Sequence, residues 1–229
     1  MRRVIVPTVV AFLLLAMSIP AFAEGKSPWK VFSYNASDRA LSSRHADAMG
    51  GLASFTFTAA PDTALLAIDR TVYRNLTERT EDPHASILGR LIVAHFTVTG
   101  ADSFNYWGEG TSDNACSTPA TVRFYFNTNG AAAYGTDNDW YSKYWWSNGT
   151  GYQMLENGDF WLFAWVTPDN WSNWNGQKGT DRPDGFAAAA SNPDLLGLSF
   201  GGGCFFENGV GATGNATFTL IDMGMSAAP

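Results

Sequence analysis

Apolar and polar side chains alternate in short runs separated by Gly, Asn, Asp and Pro. This is the period-two signature of strands in a sheet. Residues 53–58 alternate cleanly. Over 87–99, Ile92, Ala94, Phe96 and Val98 fall on one side, with Leu91, Val93, His95 and Thr97 on the other. Over 121–127, Val122, Phe124 and Phe126 oppose Arg123, Tyr125 and Asn127. Over 160–166, Phe160, Leu162, Ala164 and Val166 oppose Trp161, Phe163 and Trp165. Further strands are predicted over 196–200, 204–206 and 216–223. One short helix is predicted over 184–191, stopped by Pro193. Residues 61–86 are more charged and less patterned, and read as a long connection or a small helical turn. Many short strands with turns between them predict an all-β sandwich or barrel. No internal repeat or linker divides the chain, so 27–226 reads as a single domain.

The first segment follows another pattern. Arg2 and Arg3 precede an apolar run from Val4 to Ile19, which ends in Ala21-Phe22-Ala23. A positive start, an apolar core and a small-x-small exit describe a secretory signal peptide over 1–23. The mature protein is therefore expected to be secreted or periplasmic, with no membrane association after cleavage. In such a compartment Cys116 and Cys204, the only two cysteines, are expected to form one disulfide. The charge balance removes one class of partner. Twenty-one acids against 14 Lys and Arg give a formal net charge of −7, which argues against nucleic-acid binding by phosphate neutralisation.

The unusual feature is aromatic. Tryptophan occurs nine times, all but Trp29 lying between Trp107 and Trp174, often in polar company such as 140–148 and 170–175. Flat rings beside amides and hydroxyls suit carbohydrate: the apolar face of a sugar stacks on the ring while polar groups bond its hydroxyls. Trp171 and Trp174, in a polar stretch, are expected to be exposed. Of the adjacent Trp145 and Trp146, at least one is expected to face outward. Trp161 and Trp165, within a regular strand, are expected in the core. Arg123, Tyr125 and Asn173 are the polar partners of this scheme, the first two lying on a solvent face or on the floor of a binding surface.

Other chemistry is thinner. Asp137 and Asp139, in Thr136-Asp137-Asn138-Asp139, place oxygens in succession, which reads either as part of a structural calcium site or as a plain Asx-rich turn. No cofactor is required. Glycoside hydrolysis needs two carboxyls roughly 5–10 Å apart; Glu109, Glu156 and Glu207 are the candidates, the last two resembling turn entries. No G-x-S-x-G occurs, and His95 reads as a satisfied strand residue rather than a base.

Taken together, Val122-Arg123-Phe124-Tyr125-Phe126, Trp145-Trp146-Ser147, Trp171-Ser172-Asn173 and Leu198-Ser199-Phe200-Gly201-Gly202-Gly203 resemble a pattern found in uncharacterised secreted bacterial proteins. More loosely, the chain is similar to jelly-roll carbohydrate-binding modules. The resemblance implies a jelly-roll β-sandwich with a sugar-binding face or rim, and often a structural calcium. The expectation is thus a secreted carbohydrate-binding protein recognising a polysaccharide through Trp145, Trp146, Trp171 and Trp174. Two alternatives stand beside it: a jelly-roll glycoside hydrolase, and a self-associating extracellular structural protein.

Overall fold

The computed structural model describes residues 25–35, 40–69, 86–111, 118–128, 140–149, 151–203 and 209–226. The expected signal peptide, Cys116, Cys204, Asp137, Asp139 and Glu207 lie outside them. Among the described residues are twelve strands: β1 (Lys26–Asn35), β2 (Ala40–Asp47), β3 (Ala53–Thr56), β4 (Thr63–Asp69), β5 (Leu91–Tyr106), β6 (Thr121–Asn127), β7 (Tyr144–Ser147), β8 (Tyr152–Met154), β9 (Gly158–Trp165), β10 (Trp171–Asn173), β11 (Leu195–Gly201) and β12 (Val210–Met225). Among the described residues two α-helices accompany them, α1 (Trp140–Lys143) and α2 (Pro183–Ser191). The chain is all-β, as the alternation predicts.

One sheet contains every strand, in the order β10-β7-β6-β11-β4-β1-β2-β3-β12-β5-β9, with β8 set against β6. A further pairing of Val210 on β12 with Thr63 on β4 closes a ring of five strands, β4-β1-β2-β3-β12. Two arms leave this ring: β11, β6, β7 and β10 on one side, β5 and β9 on the other. The sixteen-residue strands β5 and β12 change direction where Gly100 and Gly214 take φ of 74° and 82°. The ladder between them loses register at Gly214, as a bulge requires.

The arms meet through aromatic rings. Phe200 of β11 lies 5.2 Å from Phe218 of β12 and 5.7 Å from Phe55 of β3, and Phe96 of β5 lies 4.9 Å from Phe218. Each fully buried Phe contributes roughly 1.5–3 kcal/mol of apolar transfer. On α2, Pro183 takes a first-turn position where its missing N–H costs nothing. Its inner face (Phe186, Ala189 and Ala190) packs into the same core, with Phe186 edge-on to Trp145 at 5.0 Å.

The first arm departs from the sequence expectation. Strands β4, β6, β7 and β11 are buried on both faces. A second apolar cluster, including Phe32, Leu65, Tyr125, Tyr144 and Trp146, occupies the side opposite the main core. Residues 63–69 are therefore a strand, not a connection or helical turn. A strand covered on both sides reads as a continuous apolar run, so Thr63-Ala64-Leu65-Leu66-Ala67-Ile68 carries no alternation to detect.

Candidate functional site

The second arm ends in β9, the last strand of the sheet. Its even-numbered side chains Leu162 and Ala164 are buried, and its odd-numbered ones face outward. Trp161, Phe163 and Trp165 are 45%, 45% and 50% exposed. Spaced two residues apart on one strand, they form a row on one face. The Trp161 and Phe163 rings lie 6.3 Å apart with planes 14° from parallel.

Cross-strand neighbours on β5 complete the surface. Leu91 lies opposite Trp165, Val93 opposite Phe163, His95 opposite Trp161 and Thr97 opposite Asp159. The His95 ring stacks on Trp161 with centroids 4.3 Å apart and planes 5° apart. Its Nε2 hydrogen-bonds the Asp159 carboxylate at 2.7 Å. Asp159 stays open to solvent, its side chain 63% exposed. The row thus has a hydrogen-bonding pair at one end. Further across the same face, Thr97 and Thr99 lie opposite Thr219 and Thr217 on β12, and these oppose Ser54 and Thr56 on β3. Ser54 and Thr219 hydroxyls are 3.1 Å apart. An aromatic strip therefore borders a field of hydroxyls.

The tryptophans singled out from the sequence lie elsewhere, and three of them are not platforms. Trp145, Trp146 and Trp171 are fully buried. Their indole N–H groups donate inward, to Ser142 O at 3.1 Å, Ser199 Oγ at 3.2 Å and Trp165 O at 2.8 Å. Trp145 and Trp146 do point to opposite faces of β7, but both faces are covered: Trp145 joins the main core and Trp146 the second cluster. The expectation that one would be free is corrected. Trp174 alone remains partly open, at 39%, with its ring 6.2 Å from Trp146.

The polar partners are also engaged internally. The Asn173 amide N donates to Tyr141 O at 2.8 Å and Gln177 Oε1 at 3.0 Å, and its Oδ1 accepts from the backbone N–H of Asn175 and Gln177 at 3.0 and 2.9 Å. It holds the turn after β10 and has nothing left for a ligand. Arg123 is buried, donates to Ser147 O at 3.3 Å and lies 4.8 Å from the Tyr152 ring centre. Burial pushes its pKa down to about 10, against a smaller opposing pull from Tyr152. The Tyr125 hydroxyl accepts from Asn127 Nδ2 at 2.6 Å, within the buried strand. The solvent face or binding floor expected on β6 is therefore an interior surface.

Glu109 and Glu156 lie beside different points of β5. Asn157, beside Glu156, is tied by its amide to the backbone of Ala101 at 3.0 and 2.7 Å. Glu109 lies in the turn beyond Tyr106, with its N–H donating to Tyr106 O at 3.1 Å. Those two anchor points, Ala101 and Tyr106, lie on the order of 15 Å apart along β5 at the rise of a β-strand. Among the described residues no cluster of three or more His, Cys, Asp or Glu is placed to hold a metal ion. No described helix is long and apolar enough to cross a membrane.

The two faces of β9 are those expected, but the covered one is that of Leu162 and Ala164, and Trp161 and Trp165, expected in the core, face outward. Both sets are apolar, so alternation alone gives no sign. His95 gave no signal because its partners, Asp159 and Trp161, are distant in sequence and become neighbours only through the β5–β9 register. Comparison with known proteins finds no matching family model, curated protein or solved structure.

Proposed function

We propose that this protein binds a polysaccharide through the outer face of β9 and β5, with Trp161, Phe163 and Trp165 as stacking surfaces. His95, Asp159, Thr97 and Thr99 act as hydrogen-bonding partners. The observation that supports this reading is the exposed row of three rings beside an open carboxylate and a field of hydroxyls. Large apolar rings are normally withdrawn from water, and an exposed aromatic group rimmed by polar side chains marks an interaction surface. A sugar offers the matching chemistry, with C–H groups for the ring faces and hydroxyls for Asp159 and the threonines. Asp159 accepts and the threonines both donate and accept, so either sense of sugar hydroxyl is served.

Export behind the 1–23 signal segment and a Cys116–Cys204 bridge belong to this proposal, since an insoluble extracellular polymer is met outside the cell. A jelly roll is the proposed finer architecture, supported by the packing of two arms across one aromatic core.

Incubating the mature protein with a panel of soluble and insoluble polysaccharides, and measuring its depletion from solution, tests the reading. Selective depletion by one or two polymers is expected, and it should be lost in a Trp161→Ala, Trp165→Ala double variant that remains folded. No depletion by any polymer would overturn it.

A further inference from the structure

The backbone of β9 carries a second message, independent of its rings. Val166 donates its N–H to Arg90 O at 2.8 Å and accepts from Gly89 N at 2.9 Å. The β5–β9 register then runs unbroken from Leu91 opposite Trp165 to Val98 opposite Gly158. Because backbone direction alternates with period two in an antiparallel ladder, Phe160, Leu162 and Ala164 aim their N–H and C=O groups at β5. Asp159, Trp161 and Phe163 aim theirs away from it. The Trp165 carbonyl is already taken by Trp171 Nε1 and Thr167 N, at 2.8 and 2.9 Å. Among the described residues no strand pairs with this outer edge.

The two ends of the sheet differ. At the other end β10 is three residues long, and its outer side is closed by a bridge between Ser172 and Lys178. Natural sheets protect free edges with short strands, Lys, Pro, bulges or covering loops. Strand β9 is eight residues long and has the sequence GDFWLFAW, with no Lys, Arg or Pro. Its single charge, on Asp159, is held by His95. An edge this long, apolar and regular is built to be paired.

We infer that β9 pairs antiparallel with β9 of a second copy of this chain, about a two-fold axis at Leu162. In this register Trp161 lies opposite the partner's Phe163 and Phe163 opposite the partner's Trp161. The backbone groups that meet are the unpaired outward ones. Asp159 faces the partner's Trp165, so no like charges are opposed. The cross-strand pairs are aromatic on aromatic, a stabilising combination. A strand that complements itself in this way favours a closed, two-fold dimer. The side chains stay on the sheet face, so the two rows become one strip crossing the axis.

Sedimentation velocity of the mature protein over a concentration series, with no carbohydrate present, tests this together with hydrogen exchange at the same concentrations. The expected result is a reversible dimer in which the amides of Trp161 and Phe163 exchange at least tenfold more slowly than in the dilute monomer. A Trp161→Lys, Phe163→Lys variant opposes like charges twice across the axis and should sediment as a monomer. A Trp161→Lys, Phe163→Glu variant opposes unlike charges and should dimerise again. All four changes fall at half-exposed positions, and a melting curve checks folding. A wild-type monomer at every concentration, a dimer whose Trp161 and Phe163 amides stay unprotected, or equal behaviour of the two variants would each overturn the pairing. So would protection that appears only on adding a polysaccharide or another protein. A monomer that still binds polysaccharide removes the dimer and leaves the proposed function; a dimer that binds none does the reverse.

Discussion

The His95 imidazole lies flat against Trp161, centroids 4.3 Å and planes 5° apart, while its Nε2 is held at 2.7 Å by Asp159. Asp159 fixes the imidazole, and the imidazole fixes one face of the indole. A side chain that is half exposed would otherwise lose rotamer freedom on meeting a ligand. His95→Ala should therefore weaken polysaccharide depletion severalfold while changing stability by less than about 1.5 kcal/mol, the scale of a stacked aromatic pair. Asp159→Asn should weaken binding less, because an amide still accepts from the imidazole. Depletion assays and denaturant midpoints on both variants check this.

Trp171 and Trp165 provide a sharp contrast between two neighbouring rings. Trp171 is fully buried against Phe126, at 4.8 Å, and donates to the carbonyl of Trp165. Trp171→Ala should cost about 3–5 kcal/mol, as large buried side chains do. Trp165→Ala removes a half-exposed ring and should fall within about 1 kcal/mol of wild type. Urea unfolding measures both. Comparable losses would mean that Trp165 belongs to the interior.

Much of the second arm could be read from the sequence because each of its strands has one covered face. Residues 91–98 alternate for that reason, 160–165 are apolar throughout and do not show which face is covered, and the helix expected over 184–191 is legible from Asp184, the alanines at 187–190 and the stop at Pro193. The first arm was opaque. Arg123, Tyr125 and Asn127 look like a solvent face, yet each is buried with a local partner. Trp171 misled for a related reason: its polar neighbours Ser172 and Asn173 serve the turn, not the solvent. Ser172 Oγ bonds the Asn148 amide at 3.2 Å, and Asn173 bonds four backbone or side-chain groups. Polar residues that satisfy a buried turn and polar residues that face water have the same composition.

Asn173 accordingly belongs to stability. Removing its amide orphans the N–H groups of Asn175 and Gln177 and frees Tyr141 O, in a region where Asn173 is itself buried. An unsatisfied buried polar group costs about 1–3 kcal/mol. Asn173→Ala should lose about 2–4 kcal/mol and leave binding by the folded fraction unchanged. Asn173→Asp should be no milder, because a carboxylate cannot donate to Tyr141 O or Gln177 Oε1. Thermal unfolding with a parallel depletion assay checks this, and reduced binding at full folding would return Asn173 to the ligand site.

The pairing of β1 with β2 sets a pH dependence whose direction is fixed. Lys26 Nζ donates to Asp47 Oδ1 at 2.8 Å, where the two strands pair at their ends. That bond and the Lys26 charge lower the Asp47 pKa below its ordinary 3.8, with a smaller pull from Arg44. A carboxyl whose folded pKa is depressed binds its proton more weakly when folded. Its contribution is fully present above the unfolded value and is lost as pH falls through the folded one. Both side chains are largely exposed, so the contribution is small, about 0.2–1 kcal/mol. Asp47→Asn should therefore be slightly less stable than wild type at pH 7, and the difference should begin to shrink as the pH drops below about 3.8, disappearing only below the lowered folded value. It should also shrink in high salt, since screening weakens an exposed pair. Denaturant midpoints for both proteins at pH 7 and pH 3, with and without added salt, give the answer; a difference that grows on acidification would show that the stabilising form is the protonated one.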